Sequence, residues 1–351
     1  VYKRQVGFHV KGGTVDLAFD GNIHQQTLNR LFRQETFLAG SIDGKMRARW
    51  DLQYLSKSSM EGELRGRDIF VAYDPATPLK INSFAIHGEA SKIRINAADL
   101  NWSEMPLKLS GSIQPESEKR LGLDMDIAAD AVDLDHLIQV LKTKPSDEAP
   151  QADPKSDSFP VVGNIRFKTD RLTFGDFTWR SLHTDISLND EKINITIKEA
   201  GLCGISTPGT LSLSPETIQF DIKPTATDQD LNSSLNCFAS AESAIDQMGI
   251  KVVKTMKADG TYSLEGNFQG NGKADDLLKS ATGQLEYTAT DGHIYYDVVL
   301  LNVLKYLNAT EQLRGQTDLG KMETQGFGYR SIKIEASLQD GTISYKRAIL
   351  D

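Results

Sequence analysis

The chain has 351 residues, of which 39% are hydrophobic and 25% charged, and its formal net charge is −9. This composition is typical of a folded globular chain, and the length allows one large domain or two to three modules. The negative charge excludes a basic field for nucleic acid or for an anionic membrane surface. No apolar stretch reaches the roughly 18 residues that a membrane-spanning helix requires.

Most of the chain alternates apolar and polar residues with a period of two. Leu123, Met125 and Ile127 alternate with Asp124 and Asp126, and the same pattern returns at 193–198, 218–222 and 332–335. Strands of this kind have one apolar and one polar face and belong to antiparallel sheets with one solvated side. We therefore predict a mainly β fold built as a long antiparallel meander.

Glycine-containing turn signals separate the predicted strands. Asp-Gly suits tight hairpin turns, because both central residues need positive φ. Hairpin turns are predicted at 11–13, 20–21, 43–44, 259–260, 291–292 and 340–341. A second, looser glycine pattern lies inside strand-like sequence and predicts bends that let a long sheet curl. Its glycines are Gly40, Gly62, Gly111, Gly163 and Gly266.

A few short amphipathic helices interrupt the strands. Gln25–Arg33 is the first, and Asp133–Lys142 is the clearest, because Asp133 can cap a stripe of leucine and isoleucine at helical spacing. Asp297–Asn308 is the third, and its wide apolar face needs the sheet, a partner or lipid to cover it. Ser233–Met248 is a candidate for a fourth helix.

One segment reads as a linker. Residues 143–158 are rich in Pro, Asp, Ser and Lys and have no hydrophobic residue larger than Ala. This predicts a β segment with short helices over 1–142, a disordered linker or loop over 143–158, and a second β region over 159–351. Because both halves have the same β character, a loop inside one continuous curled sheet is favoured.

The sequence offers little for chemistry. The six histidines form no pair at metal-ligand spacing, and no nucleotide-binding or nucleophile fingerprint occurs. Asp124 and Asp126 share the polar face of one strand, so a solvated edge is favoured over a glycosidase pair. The glycine-rich stretch 266–272 is predicted to be a hairpin connection. No catalytic residue, metal ligand or cofactor is therefore predicted, and the chain is not expected to be an enzyme.

The two cysteines leave two alternatives open. Cys203 and Cys237 make an even count, which suits one disulfide in an oxidising compartment. They fit two small buried thiols equally well.

The last third of the chain has a distinctive order of elements. Residues 283–294 read as a strand that leads into the apolar helix 297–308, and 327–345 and 348–351 read as strands with a turn. This succession resembles the C-terminal region of the AsmA-like family of Gram-negative envelope proteins.

Other stretches agree with this resemblance. Residues 133–138 resemble a short helix that follows a strand in such proteins, and residues 172–175 and 177–186 resemble the passage into the last β region. The sequences around Cys203 and Cys237 resemble paired cysteine positions in one branch of the family.

The resemblance implies a fold, a location and a function. The family is similar to bridge-like lipid-transfer proteins, which form a long curled, taco-like β-groove that carries phospholipid acyl chains between the inner and outer membranes. It implies a periplasmic, non-catalytic protein tethered to the inner membrane, with a protein partner in the outer membrane or periplasm. Because the chain opens on Val1 in strand-like sequence, we expect a fragment that lacks the membrane anchor.

The inward apolar residues of the strands are the predicted lipid path, since their period-two pattern is uninterrupted. These candidates are Ile193, Ile195, Ile197, Leu211, Leu213, Ile218, Phe220, Ile222, Ile332 and Ile334.

Two other functions remain open. The first is a structural or assembly role in outer-membrane biogenesis without lipid carriage, and the second is a carbohydrate-active β enzyme. A lipid groove predicts a continuous apolar face with few inward charges, a self-packed scaffold predicts a covered face, and an enzyme predicts carboxylates that converge in a polar cleft.

Overall fold

The computed structural model describes most of the chain. The described residues are 5–11, 13–24, 40–51, 53–71, 79–142, 161–189, 191–240, 257–273, 276–277, 279–295 and 326–351. Within these ranges the chain forms 20 β-strands, two α-helices and one 3-10 turn, so the predicted mainly β, antiparallel fold with short helices is confirmed. The predicted helices 25–33 and 297–308 and the predicted linker 143–158 lie outside the described residues.

The chain divides into two compact units. The N-terminal unit consists of residues 1–170 and 183–195, and the C-terminal unit of residues 171–182 and 196–351. Three strands contribute residues to both units. They are β9 (Val161–Phe174), β10 (Phe177–Leu188) and β11 (Ile193–Leu202).

The N-terminal unit contains an antiparallel meander of eight strands, β1 to β8, which pair with one another in chain order. The strands are β1 (Gln5–Lys11), β2 (Thr14–His24), β3 (Ser41–Asp51), β4 (Ser59–Val71), β5 (Leu79–Glu89), β6 (Lys92–Trp102), β7 (Met105–Pro115) and β8 (Leu121–Asp133). The 3-10 turn Leu55–Lys57 lies between β3 and β4.

The C-terminal unit is also antiparallel, but its strands do not all pair in chain order. Strand β14 pairs with β13 and β17, and β17, β18, β19 and β20 then follow one another. Strand β15 pairs with β12 and β17, and β16 pairs with β18. The strands are β12 (Ile205–Ser206), β13 (Gly209–Leu213), β14 (Ile218–Ile222), β15 (Thr225–Asp230), β16 (Lys257–Ala258), β17 (Thr261–Gly272), β18 (Thr282–Tyr295), β19 (Phe327–Gln339) and β20 (Thr342–Leu350).

Both described α-helices begin directly after a strand and at an aspartate cap. Helix α1 (Leu134–Lys142) follows β8, and the Asp133 carboxylate accepts the backbone N–H of His136 at 2.9 Å. Helix α2 (Leu231–Ala239) follows β15, and Asp230 accepts the N–H of Ser233 at 2.7 Å. The prediction for α1 is confirmed, and the predicted helix from Ser233 begins two residues earlier than expected.

Half of the predicted turns are wrong, because the Asp-Gly pairs at 20–21, 43–44 and 291–292 lie inside strands β2, β3 and β18. A glycine at such a position lets the backbone of the neighbouring strand approach closely. Gly44 has φ +140°, and a Cβ there would overlap the carbonyl oxygen of Glu63 on the next strand. The pair at 340–341 does form the β19–β20 hairpin, in which Gln339 faces Thr342.

Candidate functional site

One face of the C-terminal unit is a continuous apolar surface. Residues that face each other across an antiparallel pair project to the same side, so the register identifies the members of the face. Leu211 faces Phe220, Tyr287 faces Ile334, and the intervening strand β17 contributes Phe268 opposite Ile222. We call this surface the C-terminal apolar face. Its members are Leu211, Leu213, Ile218, Phe220, Ile222, Leu264, Phe268, Leu285, Tyr287, Ile332, Ile334 and Leu338.

Large side chains lie flat on this face over neighbouring glycines. Phe220 faces Gly270, and a Cβ on Gly270 would be 2.5 Å from the Phe220 ring. Phe268 covers Gly283 in the same way on the next strand pair. Because these rings spread sideways over glycine instead of standing upright, the face is a low-relief apolar floor. The glycine-rich stretch 266–272 lies within strand β17 (Thr261–Gly272), so its prediction as a hairpin connection is wrong.

All ten residues of the predicted lipid path are half-buried. The register places seven of them on the C-terminal apolar face, namely Leu211, Leu213, Ile218, Phe220, Ile222, Ile332 and Ile334. The other three, Ile193, Ile195 and Ile197, lie on β11, where the first two belong to the N-terminal unit and the third to the C-terminal unit.

Helix α2 covers one end of the C-terminal apolar face. Leu231 is buried against Tyr262 and Ala289, and Leu235 packs on the same cluster. The Ser234 hydroxyl and the Tyr262 hydroxyl form a buried hydrogen bond of 2.9 Å. The rings of Tyr262 and Tyr287 stack with their centroids 5.7 Å apart. Burial raises the pKa of both tyrosines, and neighbouring tyrosines raise that of Tyr287 further.

A disulfide holds this helix in place. Cys237 on α2 is bonded to Cys203, and their Cα atoms are 5.4 Å apart. Cys203 lies in the turn between β11 and β12, so the bond ties the helix to a strand connection. The largest buried cluster of the unit and its disulfide therefore lie together at one end of the face, while the predicted residues beyond the helix are only half-buried.

A polar cluster borders the same end. The Asp259 carboxylate accepts the hydroxyl of Tyr295 at 2.7 Å and the backbone N–H of His293 at 2.6 Å, while its own backbone carbonyl accepts the hydroxyl of Tyr329. The bond from Tyr295, followed by those from His293, lowers the pKa of Asp259. Burial raises the pKa of Tyr329 to about 12, with a further contribution from Asp259.

The N-terminal unit has an apolar face of the same construction. Leu64 faces Ile86, Ile86 faces Ile95, and beyond a bulge Leu109 faces Ile127. We call this surface the N-terminal apolar face. Its members are Leu17, Phe19, Met46, Ala48, Met60, Leu64, Phe84, Ile86, Ile95, Ala98, Leu109, Met125 and Ile127.

One end of the N-terminal apolar face is closed by curling of the sheet. The backbone N–H of Leu55, in the 3-10 turn between β3 and β4, donates to the carbonyl of Glu118 between β7 and β8 at 2.8 Å. Side chains from five strands meet around one small cavity beneath this turn. They are Trp50, Met60, Ile93, Ile113 and Leu121. Strands that are separated in the meander therefore come together within this unit, as the predicted curl requires.

The opposite face of the N-terminal unit is charged and solvated. Lys45 and Asp20 form an ion pair of 3.3 Å, and Arg49 donates to Asp16 at 2.7 Å. Arg166 on β9 donates to Asp126 at 2.6 Å and to Asp124 at 2.8 Å. The bond from Arg166 lowers the pKa of Asp126. These two carboxylates are thus bound to one guanidinium on an exposed surface, an arrangement unlike an acid and base across a cleft.

The described residues contain neither a candidate metal site nor a candidate membrane-spanning helix. Among them no group of three or more His, Cys, Asp or Glu side chains is placed to hold a metal ion. No described helix is both long and apolar enough to cross a bilayer.

Comparison of the chain with protein-family models, with curated proteins and with solved structures found no match. The resemblance to the AsmA-like family therefore stays a prediction.

Sequence reasoning missed much of both faces. Leu264, Phe268, Leu285 and Tyr287 join the predicted residues of β14 to those of β19, yet they were not among the candidates. Their period-two spacing was visible in the sequence. The N-terminal apolar face carries the same signal, and Leu123, Met125 and Ile127 show it clearly.

Proposed function

We propose that the two apolar faces bind phospholipid acyl chains, and that the chain is a non-catalytic segment of a lipid-carrying envelope protein. The observation that carries this proposal is the C-terminal apolar face. It crosses β13, β14, β17, β18 and β19 without a charged member, and the predicted residues on it are half-buried.

Lipid is the ligand whose chemistry fits such a face. An acyl chain has no hydrogen-bonding groups, so it needs none from the protein, and burial of each methylene contributes about 0.8 kcal/mol. Rings that lie flat over Gly270 and Gly283 leave room for an extended chain along the floor. Half-buried isoleucine and phenylalanine side chains would gain the rest of their burial when lipid covers them.

The resemblance to AsmA-like proteins extends the proposal to location and partners. On this view the chain works in the periplasm, tethered to the inner membrane by a part of the protein outside this sequence. It helps phospholipids move between the inner and outer membranes with a protein partner in the outer membrane or periplasm. The disulfide between Cys203 and Cys237 supports an oxidising compartment.

A photo-crosslinking experiment tests this proposal. The chain is incubated with phosphatidylethanolamine that carries a diazirine at the end of one acyl chain, irradiated, digested and analysed by mass spectrometry. We expect cross-links at Phe220, Phe268 and Ile334 and few at the opposite-face neighbours Gln219 and Asn267. Equal labelling of both faces would contradict acyl-chain binding. A chain that takes up no lipid and stays monodisperse would instead favour the assembly role.

A further inference from the structure

Strand β20 forms an open edge of the sheet in the C-terminal unit. Among the described strands it pairs with β19 alone. At the end of this pair Asp351 and Ser331 exchange two backbone hydrogen bonds, of 2.9 and 3.1 Å. Bonded and non-bonded pairs alternate along an antiparallel ladder, so the backbone N–H and C=O groups of Ala348 and Leu350 point away from β19 towards the open edge.

The same strand has an unusual concentration of exposed apolar side chains. Tyr345 is 71% exposed and Ile343 is 55% exposed, and Ile349 is a third large apolar residue that solvent reaches. No other described strand has more than one such residue. Ile343 faces Leu338 across the pair with β19, so the C-terminal apolar face continues to the edge. Exposed apolar side chains beside open backbone groups are what the addition of a further strand requires.

The middle of β20 is cationic, although the net charge of the chain is −9. Lys346 and Arg347 are the only charged residues of the strand. The ladder slips by one residue at this point, and Lys346 is the extra, exposed residue of the bulge. Arg347 lies 3.7 Å from Glu335 on β19, and both side chains remain largely exposed. A strand added at this edge would therefore meet two cations at its centre.

These cations argue against a second copy of the chain as the added strand. Antiparallel pairing of two β20 strands along their length would set Lys346 opposite Lys346 or Arg347 of the other copy. Like charges that lie directly opposite each other destabilise a sheet. Lysine and bulges are also means by which natural edge strands avoid pairing with themselves. A lipid does not fit the edge either, because an acyl chain has no partner for the open N–H and C=O groups.

We propose that β20 binds an extended segment of a partner protein by strand addition, and that this segment has acidic residues opposite Lys346 and Arg347. Its backbone pairs with the open edge, and its apolar side chains cover Tyr345 and Ile343. Its carboxylates supply the charge that the edge lacks, which selects this partner over another copy of β20. The site is the edge of the sheet, so it does not depend on acyl chains bound to the apolar faces.

Binding of designed peptides tests the charge requirement. The probe is a short, blocked, fluorescein-labelled peptide that alternates valine with threonine and has a pair of glutamates at its centre. A second peptide has a pair of lysines there instead. In fluorescence anisotropy with the whole chain, we expect the glutamate peptide to bind about tenfold more tightly. Lys346→Glu should remove most of this preference. Lys108→Glu, the same change at an exposed position of the interior strand β7, should preserve it.

A proline at the edge tests the backbone requirement. Ala348→Pro removes an N–H that points to the open edge and leaves the bonds to β19 in place. It should weaken binding of the glutamate peptide about fivefold or more, with little change in thermal unfolding. Binding should persist in Phe220→Asp, which separates this site from lipid uptake on the C-terminal apolar face.

Four results would overturn the inference. They are equal binding of the two peptides, no binding of the glutamate peptide at millimolar concentration, unchanged binding by a folded Ala348→Pro chain, and a dimer in sedimentation that Ala348→Pro dissociates. The last result would make a second copy of the chain the occupant of the edge.

Discussion

Replacement of Phe220 by aspartate should weaken phospholipid uptake strongly. Phe220 is half-buried on the C-terminal apolar face, so its loss removes the remaining burial that lipid would provide, about 1–1.5 kcal/mol. The new carboxylate would then face methylenes, and its protonation at pH 7 from an ordinary pKa of about 3.9 costs roughly 4 kcal/mol. Water that reaches the open face reduces this second contribution. We therefore expect a loss between about 2 and 5 kcal/mol, which is at least about 30-fold in affinity.

The assay is equilibrium uptake of a fluorescent phosphatidylethanolamine, with circular dichroism and thermal unfolding measured on the same samples. Gln219→Asp is the matched control, because it adds the same charge to the same strand on the opposite, exposed side. Uptake by Gln219→Asp should equal that of the natural chain. If Phe220→Asp folds normally and takes up lipid with unchanged affinity, the C-terminal apolar face is not the lipid path.

Three further predictions follow from the same geometry. Gly270→Val should lift the Phe220 ring off the apolar floor. Because the ring can move towards the open side, the loss in free energy of phospholipid binding should exceed the loss in free energy of unfolding. Equal losses of the two free energies would contradict this. Reduction of the disulfide between Cys203 and Cys237 should destabilise the chain by up to about 4 kcal/mol in urea unfolding, given a sequence separation of 34 residues, whereas a double Cys→Ala chain should not respond to reductant. Because the pKa of Asp259 is lowered in the folded chain, its ionised carboxylate stabilises the fold above the ordinary aspartate pKa, and this stabilisation is lost as the pH falls through the folded pKa. Asp259→Asn should therefore flatten the decline of the melting temperature at acid pH. An unchanged decline would show that Asp259 does not contribute.

Local patterns predicted the strands well because the alternation of apolar and polar residues is itself the cause of a one-sided sheet. The isoleucines of β11, β14 and β19 were identified in this way, and so was the capped helix α1. What local patterns do not contain is pairing over distance. Strand β14 pairs with β17 although helix α2 and two strands come between them, and only that pairing joins Phe220 to Gly270 and Ile222 to Phe268.

Glycine was the least predictable residue for a physical reason. Asp-Gly is favourable both in a tight hairpin turn and at a bend within a strand, because each needs positive φ or close backbone approach. The pair at 340–341 forms a turn, whereas the pair at 43–44 lies inside β3 against the backbone of Glu63. The choice between these outcomes depends on the neighbouring strand, which the dipeptide does not specify. The cysteine pairing was open for the same reason, since spacing alone does not bring Cys203 to Cys237.

The most direct test of the central claim is mass spectrometry of lipids extracted from the chain after gentle purification. The proposal predicts stoichiometric phospholipid with the natural chain and with Gln219→Asp, and little with Phe220→Asp. A folded, monodisperse chain that carries no phospholipid and acquires none from vesicles would contradict acyl-chain binding and leave the apolar faces to a protein partner.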